Sequence, residues 1–166
     1  MLIDPDMAEV VDEFCVESDG IYTELEEILD SYEDNPDPKK LENFGQIIDR
    51  IMGAAKSIDA HQTGLYCELG KSISYKASQS MDTNLLEIVM AVLFDTVEIL
   101  QIMNKSVKEQ KKEIVTGINL EAFASRLRWL ADKFKDIERS SVAIEVEEVQ
   151  LTDQKSIDEL LAGIGL

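Results

Sequence analysis

Proline falls only at positions 5, 36 and 38 of this 166-residue chain. Everything after Pro38 keeps its backbone donor and its freedom in φ, so nothing of that kind interrupts a helix. The spacing of apolar residues then decides the fold. Between Pro36 and Gly64, Leu41, Phe44, Ile48, Ile51, Ala55 and Ile58 recur at steps of three and four, the stripe of a helix facing a core. Asp37 can cap this helix and Pro38 can occupy its first position, which gives it a start signal as well as a face. It is expected to run to about Ala60.

The same rhythm extends in both directions. Met7, Val10 or Val11, Phe14, Ser18, Ile21, Leu25, Ile28 and Tyr32 mark a first helix from about Asp6 to Tyr32, with Ser18 and Gly20 as a place for a bend or break. The turn 33-EDNPDP-38 follows. A shorter helix is expected after Gly64, with Leu65, Leu69 and Ile73 inward and Gly70 admitting a close neighbour. The next begins after 77-ASQSMDTN-84 and reaches roughly Glu113, with Leu85, Ile88 or Val89, Val92, Thr96, Ile99 or Leu100, Met103 and Val107 inward. A fifth starts at the cap Asn119 and turns Phe123, Leu127, Leu130, Phe134 and Ile137 inward, with Trp129 off that seam as a second packing contact or, alternatively, a ligand contact. Five stripes joined by short turns make an all-α antiparallel bundle of about five helices over residues 1–140.

Residues 141–166 differ. Val142, Ile144 and Val146 alternate, a pattern that fits a short strand or an extended linker. In 151-LTDQKSIDELLAGIGL-166, Ile157, Leu160, Leu161 and Ile164 form a compact apolar face, and Ser156 with Glu159 can close a capping box. So short a helix has little stability alone and must dock, either on its own bundle or in a groove of another protein.

Charge narrows the partners. Sixteen Lys and Arg stand against 34 Asp and Glu, a formal net charge of −18, and residues 1–34 contain no Lys or Arg. Nucleic acid and anionic membrane are poor partners for that surface, whereas a basic protein face would be steered toward it. Cys15 and Cys67 lack metal-ligand spacing and lie in apolar helical patterns, which makes them reduced core residues; no metal site is expected. No twenty-residue apolar span and no basic signal segment is evident, so membrane insertion is not expected and the cytoplasm is the default location.

The other face of the second helix gathers Glu42, Gln46, Asp49, Gly53, Lys56 and Ala60 at about 100° per residue. A glycine inside a helix costs about 1 kcal/mol against alanine, so Gly53 beside Ala54 and Ala55 reads as a surface shaved down. The string 48-IDRIMGAAKS-57 resembles the second helix of a histidine phosphotransfer domain of the chemotaxis histidine kinase type, whose pattern is Phe-Arg-x-x-His-Thr-x-Lys-Gly-Ser-Ala. Arg50 falls on that arginine, Lys56 on the lysine, and Gly64 on a glycine that opens the next helix. Gly53 falls on the phosphoacceptor histidine, Ser57 on the glycine, and Asp59 on the small alanine. The stretch 14-FCVESDGIYTELEEIL-29 is similar to the opening pattern of that family. The lone His61 comes eight residues after Gly53, roughly 80° around the helix, and reads as an ordinary helix-end histidine.

The C-terminal segment resembles the receiver-binding peptide of the chemotaxis phosphatase and that of the flagellar switch protein. Gln154, Ile157, Asp158, Leu160 and Leu161 occupy the matching positions. Together the two resemblances imply a chemotaxis-type receiver as partner, bound through Arg50, Gly53, Lys56 and the tail, by a regulator that does not transfer phosphate because glycine has no imidazole. Two alternatives stay open. One is a phosphatase of the phosphorylated receiver, with Gln46 orienting water, Glu42 or Asp49 assisting, and magnesium supplied by the receiver rather than by this chain. The other is a helical structural or oligomerisation protein, for which a homodimer is one form.

Overall fold

The computed structural model describes residues 1–140, with side chains through Phe134. Five helices follow a short 3-10 turn at Pro5–Met7: α1 (Ala8–Asp34), α2 (Pro38–Ser57), α3 (His61–Ser78), α4 (Thr83–Gln110) and α5 (Leu120–Ser140). No strand occurs among the described residues. The alternating stretch at Val142–Val146 and the docking segment from Leu151 lie outside them.

Short connections reverse the chain between successive helices. α1 packs on α2 and α4, α3 packs on α2 and α4, and α5 lies against α4, so four helices close a ring and the fifth buttresses it. The expected stripes of α2 and α4 are the buried ones: Leu41, Phe44, Ile48, Ile51, Ala55 and Ile58, then Leu85, Val89, Val92, Thr96, Ile99, Leu100, Met103 and Val107. On α1 the core takes Val11, Phe14, Cys15, Ser18, Tyr22, Leu25, Leu29 and Tyr32, leaving Val10 exposed and Ile21 and Ile28 only partly covered. On α3, Leu69 and Ile73 are buried as expected, while Tyr66 and Cys67 rather than Leu65 fill the first inward step. The α5 stripe of Phe123, Leu127, Leu130 and Phe134 is buried as expected.

Helix ends depart from expectation more than helix faces. α1 is one helix through Ser18 and Gly20, without a break. Its buried stripe spans both positions, and that packing outweighs the roughly 1 kcal/mol cost of one glycine. α2 stops at Ser57, before Ala60, because the backbone turns left-handed at Asp59 (φ 60°). Likewise α4 stops at Gln110, short of Glu113, with Lys111 left-handed at φ 57°.

α3 begins at His61, three residues before the expected glycine. Its N-cap, Ala60, has no side chain able to cap. Glu113, returning from the α4–α5 connection, does so instead: its carboxylate accepts from the Gln62 and Thr63 amides at 2.9 Å each and from the Thr63 hydroxyl at 2.8 Å. α2, α4 and α5 are capped locally. Asp37 accepts from the Lys39 amide at 3.0 Å, Asp82 from Asn84 and Leu85 at 3.0 and 3.2 Å, and Asn119 from Ala122 at 2.9 Å.

α2 and α3 approach closely. A Cβ built on Gly70 would lie 2.8 Å from Ile48 Cδ1, so the absence of a side chain leaves room for the tip of Ile48, in line with the sequence expectation of a close neighbour. Trp129 is 38% exposed and carries Lys133 Nζ 5.5 Å from the centre of its ring.

Candidate functional site

The stripe that buries Leu41 through Ile58 turns the opposite side of α2 outward. Glu42, Gln46, Arg50, Gly53 and Lys56 are exposed there and Asp49 is half-buried. Ala60 does not belong to this face; it lies past the helix end and is fully buried.

Two cross-helix ion pairs bracket the centre of the face. Lys71 on α3 donates to Asp49 Oδ1 at 2.9 Å, and Lys56 donates to Glu68 Oε1 at 2.7 Å. Gly53 is four residues after Asp49 and three before Lys56, so helical spacing sets it between the two pairs. Nothing lies within 4 Å of the place where its Cβ would stand. The surface here is backbone, open to a partner and flanked by charge on both sides.

Gly64 has a different part from opening the next helix. It sits inside the first turns of α3, and the aliphatic stem of Lys56 passes 3.5 Å from the position its Cβ would take. This places Lys56 along α3 toward Glu68. Lys56 is thus a paired cation, while Arg50 forms no ion pair among the described residues.

Glu42 and Gln46 are one turn apart, both exposed. Asp49, the third member of the catalytic alternative, is held by Lys71. His61 stands at the first position of α3, beyond the turn; its side chain is 73% exposed and its Nε2 is 3.9 Å from Asp59 Oδ1. The structure does not bring it to Gly53 along a shared helix.

Neither thiol adds chemistry to this face. Cys15 and Cys67 are buried and free, and burial pushes the Cys15 thiol up to about 11, with Cys67 raised further by the same cause. Among the described residues, no helix is long and apolar enough to cross a membrane.

The pairing of Asp49 with Lys71 and of Lys56 with Glu68 escapes sequence reasoning, because Glu68 and Lys71 belong to a different helix and the linear pattern does not say which exposed residues of two helices meet. Gln154, Ile157, Asp158, Leu160 and Leu161 lie outside the described residues. Set against protein-family models, curated proteins and solved structures, the chain finds no match in any of the three.

Proposed function

We propose that this chain binds a chemotaxis-type receiver through the outer face of α2 and the segment from Leu151, and regulates it without accepting phosphate. The observation that carries the reading is Gly53: an exposed helix position with open space above it, between charged pairs, where the resembling domains carry their phosphorylated histidine. A receiver could approach the bare backbone closely, with Arg50 available for its acidic pocket. No imidazole is there to react. The C-terminal apolar face supplies a second anchor, Leu160 and Leu161, on the same partner.

The test is the lifetime of a phosphorylated receiver of the chemotaxis type, with magnesium, at catalytic and at saturating amounts of the full chain. Binding with an unchanged or lengthened lifetime, and no phosphoryl group on the chain, is the expected result. Turnover that shortens the lifetime and disappears in Gln46→Ala with binding retained establishes the phosphatase reading instead, for which the exposed Glu42 and Gln46 one turn apart are the supporting observation. Absence of binding removes both. Leu160→Ala with Leu161→Ala is expected to weaken binding by about 1–3 kcal/mol while leaving the melting temperature unchanged.

A further inference from the structure

Three contacts fix the register of α5. The Phe123 ring lies 6.1 Å from that of Tyr66 on α3, Lys76 on α3 stands 5.8 Å over the Phe134 ring, and Arg126 donates to Asp95 Oδ2 on α4 at 2.7 Å. Residue numbers climb together along α3 and α5, so α5 runs parallel to α3 and antiparallel to α4. Arg126, Trp129 and Lys133 recur at steps of three and four on the side of α5 that Arg126 turns toward α4. On α4, Ala91 and Ile88 precede Asp95 by one and two turns; both are half-buried, and the antiparallel register sets them level with Trp129 and Lys133. A lane therefore follows the α4–α5 seam. Its middle is apolar, with the exposed indole of Trp129 at its edge, and Arg126 and Lys133 place a cation toward either end.

The segment that follows Ser140 suits this lane in charge, polarity and reach. Residues 141–150 carry Glu145, Glu147 and Glu148 and no Lys or Arg, and Val142, Ile144 and Val146 alternate around the first of these acids. Period two sends the three apolar residues to one side and Glu145 and Glu147 to the other. α1, with no Lys or Arg, repels such a segment. From Ser140 back to Trp129 is roughly 16 Å along the helix axis at about 1.5 Å per residue. A chain in strand geometry covers that in about five residues and reaches the level of Arg126 in about seven. Glu145 and Glu147 are the acids at those distances. Tethering to the end of α5 supplies the segment at high effective concentration, so modest contacts suffice to hold it.

We propose that residues 141–150 fold back antiparallel to α5 as a strap over the lane, with Val142, Ile144 and Val146 covering Trp129 and Ala91, and with Glu145 and Glu147 facing Lys133 and Arg126. Arg126 has donors to spare for a second carboxylate, because its guanidinium carries five and Asp95 engages it at one nitrogen. Glu98, exposed one turn beyond Asp95, ends the stretch that suits an acidic segment. The strap carries Leu151 away from the end of the bundle where α2 begins at Pro38 and toward the end where it stops at Ser57, the end nearer Gly53. It stands without any receiver, and it uses the residues before Leu151 rather than Leu160 and Leu161.

Trp129 is the only tryptophan, so the full chain reports on its own lane. Combining Val142→Ser, Ile144→Ser and Val146→Ser is expected to raise the acrylamide quenching constant of Trp129 by roughly twofold, as the ring regains contact with water. Glu145→Gln with Glu147→Gln moves it part of the way. Arg128→Gln, on the opposite side of α5 from Arg126, leaves it unchanged. Carbodiimide coupling of the wild type reads the same contact without substitution: a link from Lys133 to Glu145, Glu147 or Glu148 within one chain is expected at every protein concentration. Equal quenching in wild type and the triple serine variant, or the absence of that link, overturns the proposal. So does a link found only between chains and growing with concentration, which puts the segment of a second copy in the lane. Neither measurement contains a receiver, so their outcome is separate from that of receiver binding.

Discussion

Gly53 and Gly70 are both interior helical glycines, yet their surroundings assign them opposite consequences. At Gly53 a methyl group meets open space, so Gly53→Ala is expected to stabilise the chain by about 0.5–1 kcal/mol through helix propensity alone. At Gly70 the same methyl meets Ile48 Cδ1 at 2.8 Å with Phe44 and Thr96 close by, so Gly70→Ala is expected to cost about 1–3 kcal/mol. Urea denaturation of the two variants reads the difference in sign. The sequence distinguishes them only in part: small neighbours mark Gly53 as a pared surface and apolar neighbours mark Gly70 as a close approach. Gly64 reads as a helix opener in a linear string because the string displays the pattern around it and not its contact with Lys56. Cys15 gives a pH test at the same scale. Its folded value of about 11 exceeds the ordinary 9.0 because burial disfavours the thiolate. Below the unfolded value both states keep the proton; above it the unfolded chain releases the proton first. Stability is therefore expected to fall as pH rises from about 9 to about 11, in denaturation midpoints, and to fall less in Cys15→Ser.

Among the helices, faces are legible in the sequence and ends are not. A stripe of three- and four-residue steps reports the core directly, which is why α2, α4 and α5 carry the expected buried residues. Where two apolar residues compete for one step, as Ile21 with Tyr22 or Leu65 with Tyr66, the aromatic ring takes the interior and the pattern alone does not choose. The ends are harder because their caps need not be near in sequence. Glu113 continues the helical pattern of α4 in the linear string, yet it is the cap of α3. Glu113→Ala is expected to lower stability by about 1–2 kcal/mol, the loss of a cap with its partners left buried, and Glu113→Gln by less. The check is a shift in denaturation midpoint at constant m-value. The two ion pairs beside Gly53 are hidden for the same reason, since each joins α2 to α3.

For the molecule as a whole the net charge is −18, and within it four helices form a ring with α5 against one side. Self-repulsion acts against that compact form, and its relief by salt is long-ranged, whereas exposed ion pairs contribute little each. Tm is expected to rise between about 0.01 and 0.15 M sodium chloride, as the screening length falls from about 30 to about 8 Å. A falling Tm over that range would show that the cross-helix pairs outweigh the repulsion. The same scale sets the reach of the functional proposal, because a face on α2 and a segment beginning at Leu151 must meet one partner together.

The carboxylate that completes the first turn of α3 is 50 residues downstream of Thr63. During synthesis at about 5–20 residues per second, the α2–α3 hairpin, complete at Ser78, waits roughly 2–7 s for Glu113 to be added. The nascent hairpin spends that interval with its amides answered only by solvent, exposed to chaperones and proteases. Closure of α3 is thus a timed event, governed by translation of α4 rather than by any residue of the hairpin itself.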